Sequence, residues 1–354
     1  MISSLDTRIA FFGGAANASA VEAIVKLLNG GFDVVVAAHD PREAPALRSA
    51  GAIFVNDRME ALTGCQVVIT SLRTSAEVEN LYLGSNGLLE LMDAGTYAID
   101  VSMSSPRLAR ELQAVAAVSD IEVLDAPIVN LGDHEQPVAF IGGASETQDN
   151  LAPLFPYLAP IVMPQKEAGG GQLAAAVCIV ALAGSLMGAV EGMALARIAG
   201  LSDKDALNVL ASTSGGSRAL VNYIPQVIGH DYSGQISVST FLDELDVALD
   251  CADELEVTMP MTETAYQLFE LLQAVGGEEL NIQALALLYE DEQTCADHGL
   301  DWALADEMGF DDFDDDMGFD SIMGPDANGR RRSHGGSDGR HGGPPSIDGF
   351  FSRN

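Results

Sequence analysis

Lysine is almost missing from this chain. Lys26, Lys166 and Lys204 are the whole complement in 354 residues, and 17 basic residues face 52 acidic ones, for a formal net charge of −35. A surface of that sign repels nucleic-acid phosphate and anionic lipid, so functions that rest on binding a polyanion are excluded. Even an anionic dinucleotide is repelled at long range unless salt screens the field. Two readings of the acidity stay open, a salt-rich cytoplasm and an ordinary acidic protein. Cysteine is scarce as well. Cys65, Cys178, Cys251 and Cys295 contain no C-x-x-C pair, which argues against a zinc ribbon or a dithiol redox centre and for reduced thiols in a cytoplasmic protein. The opening MISSLDTRIAFFGG carries no basic segment ahead of an apolar run, so no secretory signal is expected and the expected location is cytoplasmic. Charge is absent altogether from residues 173–190, LAAAVCIVALAGSLMGAV. The run is at the lower edge of a bilayer span. It is rich in Ala and Gly and lacks flanking basic residues and an aromatic belt, so a helix buried in a core is expected.

What is present is a 47% hydrophobic fraction, ample for buried cores, in two contrasting patterns. TRIAFFG, FDVVVAAH, AIFV, CQVVITSL, TYAID, IEVLD and PVAFIGG read as strands, and ASAVEAIVKLLNGG as a helix closed by glycine. Strands alternating with helices predict βαβ units and a parallel sheet. From Gly169 onward every segment reads as helix: a long run to about Ala199, then SDKDALNVLAST, SRALVNYIPQVI, STFLDELDVALDCADELEV, PMTETAYQLFELLQAV and IQALALLYEDEQ. Ser202 is placed to cap one of them and Pro260 to open another. The expected fold class is therefore α/β followed by all-α, with domains over residues 1–166 and 167–305. Residues 306–354 form an acidic, then Gly/Arg-rich tail expected to be disordered. Within it Asp312, Asp314 and Asp316 superficially suggest a calcium loop, but Gly318 falls one position late and no Glu follows at the twelfth, so no metal is expected.

The chemistry-bearing residues sit where strands end. GTYAIDVSMSSP and IEVLDAPIVN each bring a carboxylate to a strand tip, which gathers Asp100, Ser102, Ser104 and Asp125 at the rim where open α/β sheets bind ligands. The first strand runs into Gly13-Gly14-Ala15-Ala16-Asn17-Ala18. That is the place of the dinucleotide fingerprint G-x-G-x-x-G, with Ala15 and Ala18 for the second and third glycines. The helix that follows still offers free N–H groups to a pyrophosphate. The second strand ends near His39 and Asp40, where an acid binds the ribose of NAD and a basic residue the extra phosphate of NADP; a plain turn is the other reading. Arg73, after Ser71 and Leu72, either meets phosphate or caps the next helix.

D-V-S-M-S-S-P followed by L-D-A-P-I and V-A-F-I-G-G resembles the β-hydroxyacid dehydrogenase superfamily, of the 3-hydroxyisobutyrate dehydrogenase type, over roughly residues 7–290. The resemblance implies a Rossmann-like domain with a parallel sheet that binds NADP or NAD. His39, where NADP-using relatives carry arginine, leans the choice to NADP. It also implies an all-α domain that pairs into a homodimer, and a small-molecule substrate. The implied cofactor contacts are Gly13, Gly14, Ala15, Ala16, Asn17, His39, Ser71, Leu72, Arg73 and Ser102. The chain departs from the family where the chemistry happens. The family's lysine on the long helix is Ala175 here, and its two asparagines are Cys178 and Ile179. The substrate loop reads Ile128-Val129-Asn130-Leu131, Met103 replaces a threonine, and a later lysine is Asp243. Removing a positioned general acid lowers a rate by about 10²–10⁴-fold, so ordinary hydroxy-acid oxidation is not expected. Imine-reducing relatives also lack the lysine. Substitute donors are Tyr223, Asp243 and Asn130, with His134 expected as an exposed loop residue. Two function classes follow: an NAD(P)-dependent oxidoreductase with an altered substrate, an imine or an apolar carbonyl or hydroxy compound, and a catalytically inactive cofactor-binding or structural relative.

Overall fold

In the computed structural model, residues 2, 6–13, 18–37, 45–130, 132 and 135–304 are described. Six strands build the first sheet: β1 (Arg8–Gly13), β2 (Asp33–Ala37), β3 (Ile53–Val55), β4 (Val67–Ser71), β5 (Tyr97–Asp100) and β6 (Glu122–Asp125). All pairs are parallel and the order is β3-β2-β1-β4-β5-β6. A parallel sheet covered on both faces demands near-continuous apolar strands. β1 supplies Ile9 and Phe11 to the core on one face and Ala10 and Phe12 to the core on the other. The strand order reverses between β1 and β4, and a ligand crevice opens at such a switch point.

The strands after Pro127 depart from the expected single sheet. β7 (Ile128–Val129), β8 (Val138–Ile141) and β9 (Ile161–Pro164) make a separate three-stranded sheet, with β7 antiparallel to β8 and β8 parallel to β9. The physical reason is chain length. A parallel return needs a crossover of a dozen or more residues, and β7 and β8 are too close in sequence to contain one.

The remainder of the described chain is helical, built around the long helix Gly170–Ile198. Ala175, Ile179, Ala183, Leu186 and Val190 recur at helical spacing and are buried against helices Asp203–Ala211, Arg218–Ile228, Val238–Glu254 and Pro260–Leu272. By length and composition this helix is apolar enough to cross a membrane, and 44% of its most apolar window is buried inside the protein. Leu173, Val177, Leu195 and Ile198 stand exposed on its other side. Ser202 caps its helix by accepting from the Asp205 N–H, and Pro260 opens the next-but-two, both as expected. IQALALLYEDEQ is not one α-helix. Ile282–Tyr289 is a 3-10 helix, followed by a separate short helix Glu292–Asp297. Every residue from Ile282 to Leu288 is buried, and the segment is fastened by polar groups that an amphipathic reading overlooks. The Asn281 side-chain oxygen accepts from the Ile236 N–H at 3.0 Å, and Gln283 Nε2 donates to the Asp231 carbonyl at 3.0 Å.

Candidate active site

The site begins at the carboxyl ends of β1, β4 and β5. Gly13 closes β1 with φ +75°, and a Cβ placed on it would lie 2.0 Å from the Ser71 carbonyl oxygen. Only glycine lets β1 and β4 approach this closely while the chain turns away, so the first fingerprint glycine is required by sterics. Ser71 is buried, and Leu72 donates its N–H to Ser102 Oγ at 2.9 Å. Ser102 in turn donates its hydroxyl to Asp100 Oδ1 at 2.6 Å. Ser102 therefore stitches the end of β5 to the end of β4, and two of the expected cofactor contacts, Leu72 and Ser102, hold one another.

Asp100 is the anchor of that stitch. Its Oδ1 also accepts from Thr70 Oγ1 at 2.8 Å and from the Ser102 N–H at 3.2 Å. Because Thr70 spends its one proton on Asp100, Tyr82 donates to Thr70 across 3.0 Å. Burial pushes the Asp100 carboxyl up to about 6, and the Ser102 and Thr70 hydrogen bonds hold it from rising further. Asp125, its neighbour across the β5–β6 pairing, has a different task. Its two oxygens accept the N–H groups of Gly169 at 2.8 Å and Gln172 at 3.0 Å. A carboxylate remote in sequence thus caps the long helix and meets the positive end of its dipole. Burial raises the Asp125 carboxyl above its ordinary value, against the pull of those amides. Gly171 packs so tightly here that a Cβ would sit 2.3 Å from the Phe140 carbonyl oxygen.

Gln172, which the sequence reading passed over, is wholly buried and joins the two halves. Its Nε2 donates to the Ser102 carbonyl at 2.9 Å and its Oε1 accepts from the Ser104 N–H at 2.9 Å. The turn Ser102–Ser104 is thereby bolted to the first turn of the long helix. One turn further on the same helix lies Ala175, 0% exposed, then Cys178, half-buried, and Ile179, buried. No proton-transferring group occupies the Ala175 or Ile179 positions.

The opposite wall comes from helix Val238–Glu254. Asp243 is exposed there, and burial by its surroundings raises its carboxyl; Arg73 opposes the shift, while Asp246 and Glu77 add to it. Arg73 and Asp243, expected as a cofactor contact and a catalytic group, are therefore near enough for their charges to interact. The Arg73 backbone N–H donates to Glu77 Oε2 at 3.1 Å, and Thr74 Oγ1 accepts from the Glu77 N–H at 3.2 Å. The main chain of Arg73 is thus part of a helix cap, and its side chain is exposed at the cleft.

Tyr223 is 1% exposed, within the helical core. Gly132, at φ +113°, lies over it, and a Cβ there would come within 3.0 Å of Tyr223 Oη. Asn130, half-buried, stands two residues earlier on that loop. The loop is tied down by Glu135, which accepts from Arg218 Nε at 2.8 Å and Asn222 Nδ2 at 3.1 Å. Burial works to raise the Glu135 carboxyl, and the hydrogen bonds from Asn222 and Arg218 outweigh it and hold it low. Gly14, Ala15, Ala16, Asn17, His39 and His134, and the whole tail from residue 305, lie outside the described residues.

The profile of the NAD binding domain of 6-phosphogluconate dehydrogenase matches residues 19–166, and that of the NAD-binding domain of NADP-dependent 3-hydroxyisobutyrate dehydrogenase matches residues 169–289. An NAD-dependent L-serine dehydrogenase of Pseudomonas aeruginosa is 31% identical over 300 residues, 81% of this chain and 99% of that protein. The chain belongs to the β-hydroxyacid dehydrogenase superfamily. A 3-hydroxyisobutyrate dehydrogenase of the same organism is 30% identical over 80% of this chain and 98% of its own. Among solved structures, the Mycobacterium tuberculosis 3-hydroxyisobutyrate dehydrogenase with L-serine superposes with a TM-score of 0.72 at 24% identity, over 79% of this chain and 98% of that one, and shares its fold. This member of the superfamily is an NAD(P)-dependent oxidoreductase by family, with NADP or NAD as cofactor. The described residues fit such a group. The cradle at Gly13 admits no side chain, the strand order reverses beside it, and the exposed Arg73, two residues after the end of β4, supplies a positive charge that acts on Asp243.

Proposed function

We propose that this enzyme uses NADPH, or NADH, to reduce an imine or an apolar carbonyl compound, and that oxidation of small hydroxy acids is not its reaction. The observation that carries the reading is the helix face Ala175, Cys178 and Ile179, which offers no amine or amide to pair with a substrate carboxylate and whose one ionisable group, the Cys178 thiol, is raised by burial. Acids on the opposite wall, Asp243 and Asp246, repel such a carboxylate further. When bound, the nicotinamide supplies the hydride. Gly13 and the ends of β4 and β5 shape the seat for its diphosphate, Arg73 offsets part of the local negative charge, and Gln172 and Asp125 hold the long helix in register with that seat. We also propose that two copies associate through the helical domain, whose long helix exposes Leu173, Val177, Leu195 and Ile198; light scattering after gel filtration reports the mass.

Fluorescence titration with NADPH and NADH, at low and high KCl, measures the cofactor site. Cyclic imines, apolar ketones and 3-hydroxy acids are then offered with the matching cofactor. Turnover of imines or ketones and none of hydroxy acids is expected. Fast oxidation of a 3-hydroxy acid refutes the reading. Tight nucleotide binding with no turnover of any of them favours a non-catalytic member of the superfamily.

A further inference from the structure

One face of the long helix Gly170–Ile198 is left uncovered by the described chain. Leu173, Val177, Leu195 and Ile198 are between 43% and 82% exposed on it. Ala181 and Gly188 between them are exposed as well, and Gly184 is half-buried. From Val177 the positions 177, 181, 184, 188, 191, 195 and 198 step alternately by four and three, the repeat of a seam between paired helices. Glu191 is the one charged member of this seam, and Tyr289 Oη donates to its Oε1 at 3.4 Å. The seam is palindromic in size. Val177 stands nine residues before the point midway between Gly184 and Gly188, and Leu195 stands nine after it, with small residues in between. A glycine in a helix interior costs roughly 0.5–1 kcal/mol. Packing within the chain does not call for Gly188, because a Cβ there would meet nothing within 4 Å, and one on Gly184 would meet only the flexible tip of Met261 at 3.4 Å. Bare backbone at that point lets a second helix come close. Towards its N-terminal end the seam opens into a groove of about 870 Å³, lined by Phe140, Pro164, Leu173, Ala174 and Val177 among others.

Resting on the association through the helical domain stated above, we propose that the occupant of this face is the long helix of a second copy, antiparallel, about a twofold axis that passes midway between Gly184 and Gly188. Each copy then seats Leu195 and Ile198 in the other's groove, with Leu195 level with the partner's Val177. A twofold contact needs a patch complementary to itself, and the size palindrome supplies one. Charge favours the same face. A chain of net charge −35 repels its own copies. Residues 173–190 carry no charge, so two copies meet here with the least repulsion. The antiparallel order also sets each helix dipole against its opposite. A strip about 43 Å long and about 10 Å wide is about half of the roughly 800 Å² that each partner buries in a stable interface. Exposed Met261 beside Gly184, and exposed Met163 next to the groove residue Pro164, widen it. Because the acidic surfaces on either side still repel one another, the pair tightens as salt screens them.

Cysteine bridging in the full chain tests the register. Positions 177 and 195 lie about 27 Å apart along one helix, too far for a disulfide, and the twofold brings each level with the other across the pair. With copper phenanthroline, the double variant Val177→Cys/Leu195→Cys is expected to run as a covalent dimer on a non-reducing gel. V177C alone, L195C alone and wild type with its native Cys178 should stay unbridged, because like positions on antiparallel helices are also about 27 Å apart. In light scattering, the wild-type dimer should tighten between 0.1 M and 1 M KCl. L195E places a charge twice in an apolar groove and should weaken the dimer by about 100-fold. Its circular dichroism should stay that of wild type, since Leu195 is exposed within one copy. A dimer that bridges through the single variants, that fails to bridge through the double variant, or that L195E leaves intact overturns the antiparallel seam and leaves association through the helical domain standing. A wild type that is monomeric at every KCl concentration overturns both, and flotation of that monomer with phosphatidylcholine vesicles would assign the face to a lipid surface instead.

Discussion

Replacing Gly13 by alanine tests whether the geometry at the switch point is what makes the cofactor seat. Two penalties add. The φ of +75° is left-handed, which disfavours an L-residue by about 1–2 kcal/mol. The new Cβ would also stand 2.0 Å from the Ser71 carbonyl oxygen. That oxygen belongs to a buried strand in register with Gly13, so relief requires β1 and β4 to part, an overpacking strain of about 1–3 kcal/mol. The sum is about 2–5 kcal/mol, or roughly 5–15 °C in Tm for a domain of this size. Gly51 provides the internal control. Its φ is +87°, yet a Cβ there meets nothing within 4 Å, so G51A carries the conformational penalty alone, about 1–2 kcal/mol. Thermal unfolding of G13A, G51A and wild type separates the two terms, and NADPH fluorescence titration of each reports the seat. G13A should melt well below G51A and bind NADPH at least about tenfold more weakly. Equal melting temperatures for the two variants would refute the steric argument, and an unchanged affinity in G13A would remove β1 from the cofactor site.

Asp125→Ala strips the cap from the long helix and leaves the buried N–H groups of Gly169 and Gln172 without acceptors, a loss of about 2–5 kcal/mol in urea unfolding; a change under about 0.5 kcal/mol contradicts the capping role. Gln172→Leu keeps the volume and orphans the Ser104 N–H and the Ser102 carbonyl; it should lower stability by about 2–4 kcal/mol and weaken NADPH binding, with Gln172→Glu able to substitute only while protonated, since a carboxylate has no proton to donate to the Ser102 carbonyl. Asp100 binds its proton more readily folded than unfolded, since its carboxyl sits near 6 against an ordinary 3.8. Its share of stability is therefore fullest below about pH 4 and is lost as pH rises to about 6, some 3 kcal/mol in total. D100N should flatten that slope relative to wild type across pH 4–7, and parallel curves would show that Asp100 does not titrate there.

How far the sequence could be read follows from what each signal depends on. The apolar runs of β1 to β6 and the amphipathic helices are local patterns, so they were legible before any fold was known. The same holds for Ser202 as a cap and Pro260 as a helix opener. Local patterns fail where distance along the chain decides. The second sheet arises because β7 and β8 have no room for a crossover. Ile282–Tyr289 becomes a 3-10 helix because its polar fasteners, Asn281 and Gln283, reach Ile236 and Asp231. At the site, the strand-tip residues Asp100, Ser102, Ser104 and Asp125 were expected at one rim and are found there, but the rim gives them different work. Ser102 and Leu72 bond to each other, and Asp125 turns away to cap a helix 44 residues on.

By itself the sequence determined the apolar strands of a parallel sheet, the fingerprint place of Gly13 after the first of them, and that the long helix would carry Ala175 where a proton donor belongs in this superfamily. Those properties are written in residue type and spacing. Only the tertiary structure decided that Gln172 bolts that helix to the Ser102–Ser104 turn and that Arg73 lies near enough to Asp243 for their charges to interact. Each is a meeting of groups far apart in the chain, and the strength of a charge or hydrogen bond is set by the neighbours and burial that folding supplies.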